Sequence, residues 1–338
     1  PADARVAWGR GRRWVWSTAP RGPRPARAPR RPPRGACVSG DRGNRDAETR
    51  GLLAHARIGM LAINGGRYPL VNPAAFHFGG DSVWLTTSRH AVKVGLAKKR
   101  PKSSFLVDGG SHCVVGELVV WVVERRQELG VGLALTVGAE LVLSRRGNAG
   151  KYAAFRGSHR GDLAGIPGDW WPQNRALFQL RISRTWSLPS VSSPPAGPAP
   201  VPGVPAVVRR TLTRIPVAYV CTIVDGVPLM APALWTADGS VSIVVRVAGF
   251  LGIGRHAAGG VVIESHHAYR ATRMVGAYLR GGFRADSDVK AGIAERYGLE
   301  AEPSGLGLRF EPERATWWRG FSIENAEIEE KAARRVAR

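Results

Sequence analysis

The sequence predicts a mainly β protein built from two small barrels in one chain. Three observations lead to this expectation. Short apolar segments alternate with turns that contain glycine, which is typical of antiparallel hairpins that close into a small barrel. One pattern of segments occurs twice, and a proline-rich tract separates the two copies. Two copies joined by such a tract predict two domains that pair with each other within the chain.

The repeat is clearest in two stretches of similar order. Residues 63–85, "INGGRYPLVNPAAFHFGGDSVWL", match residues 223–243, "IVDGVPLMAPALWTADGSVSI". Each has an apolar strand, a glycine turn, a strand containing Pro-Leu-x-x-Pro-Ala that ends in an aromatic residue, and a third strand after another turn. The two halves also end alike, in "LFQLRISRTW" (177–186) and "LGLRFEPERATWW" (306–318).

The proline-rich tract sets the domain boundaries. Residues 187–206, "SLPSVSSPPAGPAPVPGVPA", are interpreted as an extended linker that cannot form a packed element. The expected organisation is therefore a disordered segment at 1–49, a first barrel at 50–186, the linker, a second barrel at 207–322, and a charged helix or tail at 323–338. The tract 124–176 makes the first half longer, and it is interpreted either as a lid over the substrate face or as a domain-packing loop.

The formal charge of +23 is concentrated at the start of the chain. Residues 1–37 contain ten Arg and one Asp, which gives +9 and leaves +14 for the rest. The same segment has seven Pro and no hydrophobic period, so it is predicted to be disordered. We interpret it as sequence that precedes a natural start near Val38, with a transit peptide or a nucleic-acid-binding arm as alternatives. Without a recognition helix or aromatic–basic interleaving, we do not expect nucleic acid as the partner.

Several function classes lack their sequence signals. No apolar run approaches the roughly 20 residues that span a bilayer, so we expect a soluble, cytoplasmic protein with no membrane partner. The three cysteines have neither disulfide nor metal-ligand spacing and are expected to be free thiols. The absence of His-x-x-x-His and Cys-x-x-Cys patterns gives no reason to assign a metal. A Gly-x-Ser-x-Gly nucleophile motif is absent too, which disfavours a hydrolase.

The stretch "VWLTTSRHAVKVGLAKKRPKSSFLVD" (83–108) predicts an anion site. Thr86, Thr87 and Ser88 end an apolar strand, and a helix is expected to begin near Arg89 with Ser88 as its cap. Helix N-terminal N–H groups, hydroxyls and Lys93 together would bind a phosphate. The alternative is an ordinary capped surface helix whose basic side chains are solvated.

The order of these segments resembles the pyridoxamine 5'-phosphate oxidase-like family of FMN-binding split β-barrels. The resemblance rests on "LLAHARIGMLAINGGRYPLVNPAAFHF", "LTTSRHAVKVGLAKKRPKSSFLVD" and "CVVGELVVWVV", followed by a last strand with Thr-Trp. It covers about 50–188 and, more loosely, 207–322. It implies a six-stranded barrel with FMN at the interface between two barrels, and here both barrels would come from one chain, as a monomer with an internal pseudo-dimer.

The resemblance also implies the cofactor-binding residues. For the phosphate these are Thr87, Ser88 and Lys93, with Arg89 as an additional contact. For the ring system they are Thr86, the strand residues Asn72, Pro73 and Ala74, and, from the partner barrel, Arg314 with Trp317 or Trp318.

The second half lacks the corresponding donors. Aligning the two copies places Val244, Val245 and Arg246 where Thr86, Thr87 and Ser88 stand, and Leu251 where Lys93 stands. We therefore expect one flavin per chain, held by the first half.

The function implied is that of an FMN-dependent oxidoreductase, which transfers a hydride to or from an unknown small-molecule substrate without an evident catalytic side chain. Family members that make vitamin B6 have an Arg-x-His pair near the C-terminus. The stretch "PERATWWRG" lacks that histidine, so vitamin B6 synthesis is not expected. The alternatives are a deazaflavin-dependent reductase, a non-catalytic flavin- or haem-binding or sensor protein, and, more distantly, a nucleic-acid-binding protein.

Overall fold

A computed structural model of the chain describes residues 42–56, 58–79, 81–107, 111–122, 175–191, 194–265, 273–320 and 322–328. Within these residues there are four helices: α1 (Arg42–His55), α2 (Val92–Lys99), α3 (Ala206–Leu212) and α4 (Val289–Tyr297). No helix in this part of the chain combines the length and the apolar character that crossing a membrane requires.

The described strands form two sheets, one in each half. The first contains β1 (Ile58–Asn64), β2 (Pro69–Gly79), β3 (Ser82–Ser88), β4 (Lys102–Val107), β5 (His112–Val122) and β6 (Arg175–Ser187). The second contains β7 (Ala218–Val224), β8 (Val227–Ala237), β9 (Val241–Val245), β10 (His256–Ser265), β11 (Val275–Ala285), β12 (Leu306–Arg319) and β13 (Ser322–Glu327).

The first sheet is a closed antiparallel barrel with the order β1-β2-β3-β6-β5-β4. Side chains alternate between its two faces, and the inner face supplies an apolar core. The rings of Phe76 and Phe105 meet edge to face in that core, with centroids 4.8 Å apart. Leu53 of α1 is fully buried against the same core, so this helix belongs to the first barrel.

The second sheet has the order β11-β10-β7-β8-β9-β12-β13, and an additional pairing of β11 with β12 closes six of its strands into a ring. Counted from the first strand of each half, both rings run first, second, third, sixth, fifth, fourth. The prediction of a mainly β chain with two small barrels is confirmed.

Both barrels contain the same β-bulge. In the first, the pairing of β5 with β6 shifts between Val115 and Gly116. In the second, the pairing of β11 with β12 shifts between Arg280 and Gly281. A Cβ at either glycine would overlap the backbone carbonyl of the opposite strand, so both positions require glycine. Gly116 and Gly281 are therefore equivalent positions, which the sequence alignment did not identify.

The outer faces of the two barrels pack against each other. Met60, Val71 and Leu106 of the first barrel lie in one apolar cluster with the side chains of the second. Polar contacts cross the same interface, where Asn64 Nδ2 donates to the Gly226 carbonyl at 2.8 Å and the Tyr278 hydroxyl donates to the carbonyl of Pro69. One chain thus contains a pair of barrels with its own apolar interface.

Two predicted boundaries are wrong. Residues 42–49, expected to be disordered, form the first part of α1, because Thr49 and Leu53 are buried beneath the first barrel. Residues 323–327, expected in a charged helix or tail, belong to β13, which pairs with β12 as a hairpin. Residues 1–41 and 329–338 lie outside the described residues, as do residues 124–174 of the tract 124–176 that was predicted to be a lid or a domain-packing loop. The last two residues of that tract, Arg175 and Ala176, begin β6.

The proline-rich tract is more ordered than expected. Its described residues 188–191 and 194–205 form no helix or strand, but the side chains of Ala199, Val201 and Val204 are buried in the cluster of the second barrel. The N–H groups of Ala196 and Gly197 donate to the Arg296 carbonyl at 2.7 and 3.1 Å. The expectation that this tract cannot pack is wrong, because small apolar residues between its prolines fit against the barrel.

Candidate cofactor site

The hairpin of β2 and β3 opens part-way along its length. Its strands pair only over four residues each, 76–79 with 82–85. Beyond that point, residues 72–75 of β2 stay paired with β1, whereas residues 86–88 of β3 stay paired with β6. Residues 72–75 and 86–88 are therefore not paired with each other, and we call this break in the hydrogen-bonded wall of the first barrel the opening.

This opening brings two groups of predicted site residues to its opposite sides. Asn72, Pro73 and Ala74 line the β2 side, all half-buried. On the β3 side, Thr87 shares the inner face with Leu85 and is buried, while Thr86 and Ser88 are half-buried on the outer face. Residues 72–74 and 86–88 thus flank the opening from its two sides, although the two segments are 12 or more residues apart in sequence.

The junction between β3 and α2 differs from the expected helix cap. The helix begins at Val92 rather than near Arg89, and its N-cap, Ala91, makes no side-chain capping bond. Ser88 Oγ instead accepts a bond from the His90 N–H at 3.3 Å within the preceding turn. The prediction that Ser88 caps the helix is wrong, because a three-residue turn separates the strand from α2.

The charges of this junction favour an anion. No acidic side chain lies in the first turn of α2, and Lys93, its second residue, is half-buried. Arg89 is exposed, and its Nε donates to Nε2 of His90 at 3.2 Å. Hydroxyls, a lysine, an arginine and the N–H groups of a helix N-terminus are the donors that bind a phosphate monoester.

The corresponding opening in the second barrel is filled. There β8 and β9 pair over 234–237 and 241–244, and the pairing of Trp235 with Ile243 matches that of Phe76 with Leu85. This register confirms that Val244 stands where Thr86 stands. Leu234 and Val244 are packed against Ile293 and Tyr297 of α4 in a separate apolar cluster.

An arginine on α4 secures this filling. Arg296 is buried, with 4% of its surface exposed, and its guanidinium lies 3.9 Å from the centroid of the Trp235 ring. It donates to the carbonyls of Thr213 and Ile215, each at 3.2 Å, and to that of Trp235. Burial lowers the pKa of Arg296 below its usual value. Tyr297 adds a bond from its hydroxyl to the Pro216 carbonyl at 2.7 Å.

The two residues predicted from the partner barrel lie on different faces of β12. Arg314 is exposed and donates to Glu327 of β13 at 2.6 Å. Trp317 pairs with Ala277 on the inner face of the second barrel and is buried there. Trp318 lies on the outer face, which it shares with Tyr278, and its buried indole N–H has no hydrogen-bond partner among the described atoms.

The bulge explains why the sequence did not separate these two tryptophans. Phe310 faces the core beside Phe283, with ring centroids 4.7 Å apart, and simple alternation from Phe310 would turn Trp317 outward. Glu313, the extra residue of the bulge, reverses the alternation. The buried, unbonded N–H makes Trp318 the better candidate for a ligand contact.

The described cysteines do not supply a nucleophile. Cys113 and Cys221 are fully buried in the cluster between the barrels. Burial raises the pKa of the Cys113 thiol to about 12 and that of Cys221 well above its usual value. Both therefore stay protonated near neutral pH and are poor nucleophiles. In the described part of the chain, no three side chains of the metal-binding types are gathered as ligands would be.

Comparison with known proteins finds solved structures that are similar to part of the chain. Neither a protein-family profile nor a curated protein matches the chain. Among solved structures, an FAD-binding protein from Mesorhizobium loti is 17% identical, with a TM-score of 0.27, covering 41% of this chain and 90% of its own. The FAD-binding protein from Mycobacterium smegmatis is 14% identical, with a TM-score of 0.26, covering 41% and 88%. An F420 reductase is 18% identical, with a TM-score of 0.26, covering 40% and 94%. Such values assign neither a family nor a function.

Proposed function

We propose that the opening between β2 and β3 binds a flavin-type cofactor, FMN, and that the chain is an FMN-dependent oxidoreductase of the pyridoxamine 5'-phosphate oxidase-like type. The observation that carries this proposal is the break in pairing between the two strands, which 72–75 and 86–88 flank. The substrate is a small molecule, and the bound flavin would supply the hydride chemistry.

The residues present fit such a group. Thr87, Ser88 and Lys93, with Arg89 beside them, would hold the phosphate through hydroxyl and charged donors. Thr86 and the segment 72–74 would lie along the ring system. Trp318, with its unbonded indole N–H on the outer face of β12, is the candidate contact from the second barrel. The chain's own residues would therefore bind and orient the cofactor.

The two halves are proposed to descend from one duplicated barrel, which supports one cofactor per chain. The shared strand order and the shared bulge favour the duplication. Ile293 and Tyr297 fill the second opening, where valines also replace the hydroxyls. We further propose that the chain is monomeric, because its two barrels already cover each other's interface. Vitamin B6 synthesis is not proposed, since the stretch around Arg314 has no histidine.

One observation favours a second candidate, a non-catalytic flavin- or haem-binding protein. The predicted site contains no paired acid and base that would mark a catalytic centre, and in the second half side chains of α4 fill the place that corresponds to the opening. In this alternative the first barrel would hold its cofactor for sensing or storage.

The absorption spectrum of the purified protein, followed by an FMN titration, tests the proposal. Flavin bands and binding of one FMN per chain are the expected results, with reduction by a nicotinamide donor as the test of catalysis. A Soret band would favour haem, and deazaflavin bands would favour a deazaflavin-dependent reductase. A colourless protein that binds no FMN would refute the proposal.

A further inference from the structure

A groove with a volume of about 530 Å³ lies on the outer face of the second barrel, next to the turn that joins β1 to β2. Its floor is formed by Ala258 and Gly282, which pair across β10 and β11. Its rim carries three basic side chains and one acidic one: Arg67, His256, Arg284 and Glu311. This groove is distinct from the opening proposed for the flavin.

The floor is specific to the second barrel. Because Gly116 and Gly281 are equivalent, the pairing of Ala258 with Gly282 corresponds to that of Lys102 with Glu117 in the first barrel. Two long charged side chains there are thus replaced by a methyl group and a hydrogen atom. The groove results from this difference between the halves.

The fold does not require glycine at position 282. A Cβ at Gly281 would overlap the carbonyl oxygen of Glu311, whereas a Cβ at Gly282 would meet no atom within 4 Å. Gly282 also has no left-handed backbone angle. The space above it is therefore not imposed by packing.

The first half contributes one wall of the groove, and this wall also has no counterpart in the other half. The turn between β1 and β2 has four residues, 65–68, whereas the turn between β7 and β8 has two. The longer turn carries Arg67, whose guanidinium donates to Glu313 at 2.9 Å and lies 4.9 Å from the Tyr68 ring centroid. The Tyr68 hydroxyl donates to the other oxygen of Glu313 at 2.7 Å. Glu313, the bulge residue, thus holds Arg67 at the groove, and an arginine has further N–H donors to offer.

We propose that this groove is a second binding site, for a small phosphorylated molecule that carries hydroxyl groups. Arg67 and Arg284 supply guanidinium forks that match phosphate oxygens, and His256 lies beside them. Arg284 is only loosely paired, with 4.0 Å between its guanidinium and Glu311. The Glu311 carboxylate accepts hydrogen bonds from the hydroxyl groups of the organic part. The volume lies in the range of small-molecule sites, which favours a phosphate ester over free phosphate.

This site is separate from the proposed flavin phosphate site. The proposed flavin phosphate site lies at the N-terminal end of α2. Arg100 follows the C-terminal end of α2, and its guanidinium packs against Gly66 in the turn between β1 and β2. The eight residues of α2 place these ends about 12 Å apart. A ligand of the groove therefore binds whether or not the flavin proposal is right.

Isothermal titration of the full chain, saturated with FMN if it binds FMN, tests this inference. The probes are ribose 5-phosphate and inorganic phosphate. We expect ribose 5-phosphate to bind more tightly than phosphate, and Gly282→Glu, which introduces the residue of the first barrel, to weaken binding at least tenfold. Arg284→Gln leaves the floor intact and should weaken binding to a similar extent, which keeps the test valid if Gly282→Glu misfolds.

Two variants serve as controls. Lys102→Ala changes the equivalent position of the first barrel, and Lys93→Ala changes the proposed flavin site, so neither should alter the affinity for ribose 5-phosphate. The ten arginines of residues 1–37 are common to all variants. Unchanged affinity in Gly282→Glu and Arg284→Gln would overturn the proposal, as would equal weakening by Lys93→Ala. Equal affinity for phosphate and its ester would overturn the assignment to an ester.

Discussion

Replacing Arg296 by Ala tests whether α4 is the element that closes the second opening. The guanidinium is buried and donates to the backbone carbonyls of Thr213, Ile215 and Trp235. Alanine would leave these buried acceptors without their charged donor. It would also leave a cavity above the Trp235 ring, because the guanidinium that it removes lies 3.9 Å from the ring centroid. No acidic partner is left unpaired, because the described bonds of this guanidinium all go to carbonyls.

The expected cost follows from these contacts. A buried carbonyl that loses its donor costs about 1–3 kcal/mol. Water that enters the cavity would offset part of this cost by donating to some of the three carbonyls. Adding the lost packing against Trp235, we expect a decrease of about 3–5 kcal/mol in the free energy of unfolding. Urea unfolding followed by tryptophan fluorescence measures it. A loss of this size is larger than most single substitutions cause, and breaking a buried hydrogen-bond network is one of the mechanisms that produce it.

Arg314→Ala is the matched control for this measurement. Its ion pair with Glu327 is exposed, with 54% and 74% of the two side chains accessible. Exposed pairs contribute roughly 0–1 kcal/mol, so this variant should unfold almost like the wild type. If Arg296→Ala lost no more stability than Arg314→Ala, the assignment of Arg296 as the anchor of α4 would be refuted.

Three further predictions concern the cofactor, the linker and the thiols. Lys93→Ala should lower FMN affinity by one to two decades, since a charge-assisted hydrogen bond contributes about 1.5–3 kcal/mol. Leu251→Ala should leave the affinity and the stoichiometry of one FMN per chain unchanged. A fluorescence titration measures both variants, and full affinity in the Lys93 variant would contradict the assignment. Cleavage of the linker near residue 192 should leave the halves together on a sizing column, because the barrels share an apolar interface, and their separation would show that the tether holds them. Cys113, whose pKa is raised to about 12, should be a protonated thiol at pH 8 and react with iodoacetamide only on unfolding. Peptide mapping distinguishes it from Cys37, and rapid labelling of Cys113 itself in the folded protein would contradict its burial.

The sequence predicted the scaffold because the repeat, the turns and the strand periodicity are local signals. The alignment of Thr86 with Val244 agrees with the strand register, since the same proline and aromatic positions flank both hairpins. The face occupied by Trp317 was not predictable from alternation, because one bulge residue reverses it. The start of α2 was missed for a similar reason, since hydroxyl and basic residues are compatible with both a cap and a turn.

Burial was harder to predict than pairing. The linker is rich in proline, and composition alone predicts an extended spacer. Whether Val201 and Val204 contact a barrel depends on where the chain runs in three dimensions, and both are buried. The filling of the second opening by Ile293 has the same origin, because α4 lies some 50 residues after Val244 and only the tertiary structure brings the two together.

The differences between the halves occur at equivalent positions of one shared scaffold. At the hairpin opening, the first barrel keeps hydroxyls around Thr86, and the second substitutes valines covered by α4. At the bulge, the first barrel has Lys102 and Glu117, and the second has the small residues that form the groove. Each position is thus open in one half and occupied in the other. In a symmetric pair of identical subunits, one substitution changes both copies of a site, whereas two barrels in one chain allow each site to change alone. The proposed division, a cofactor in the first half and a phosphorylated ligand on the second, requires this independence.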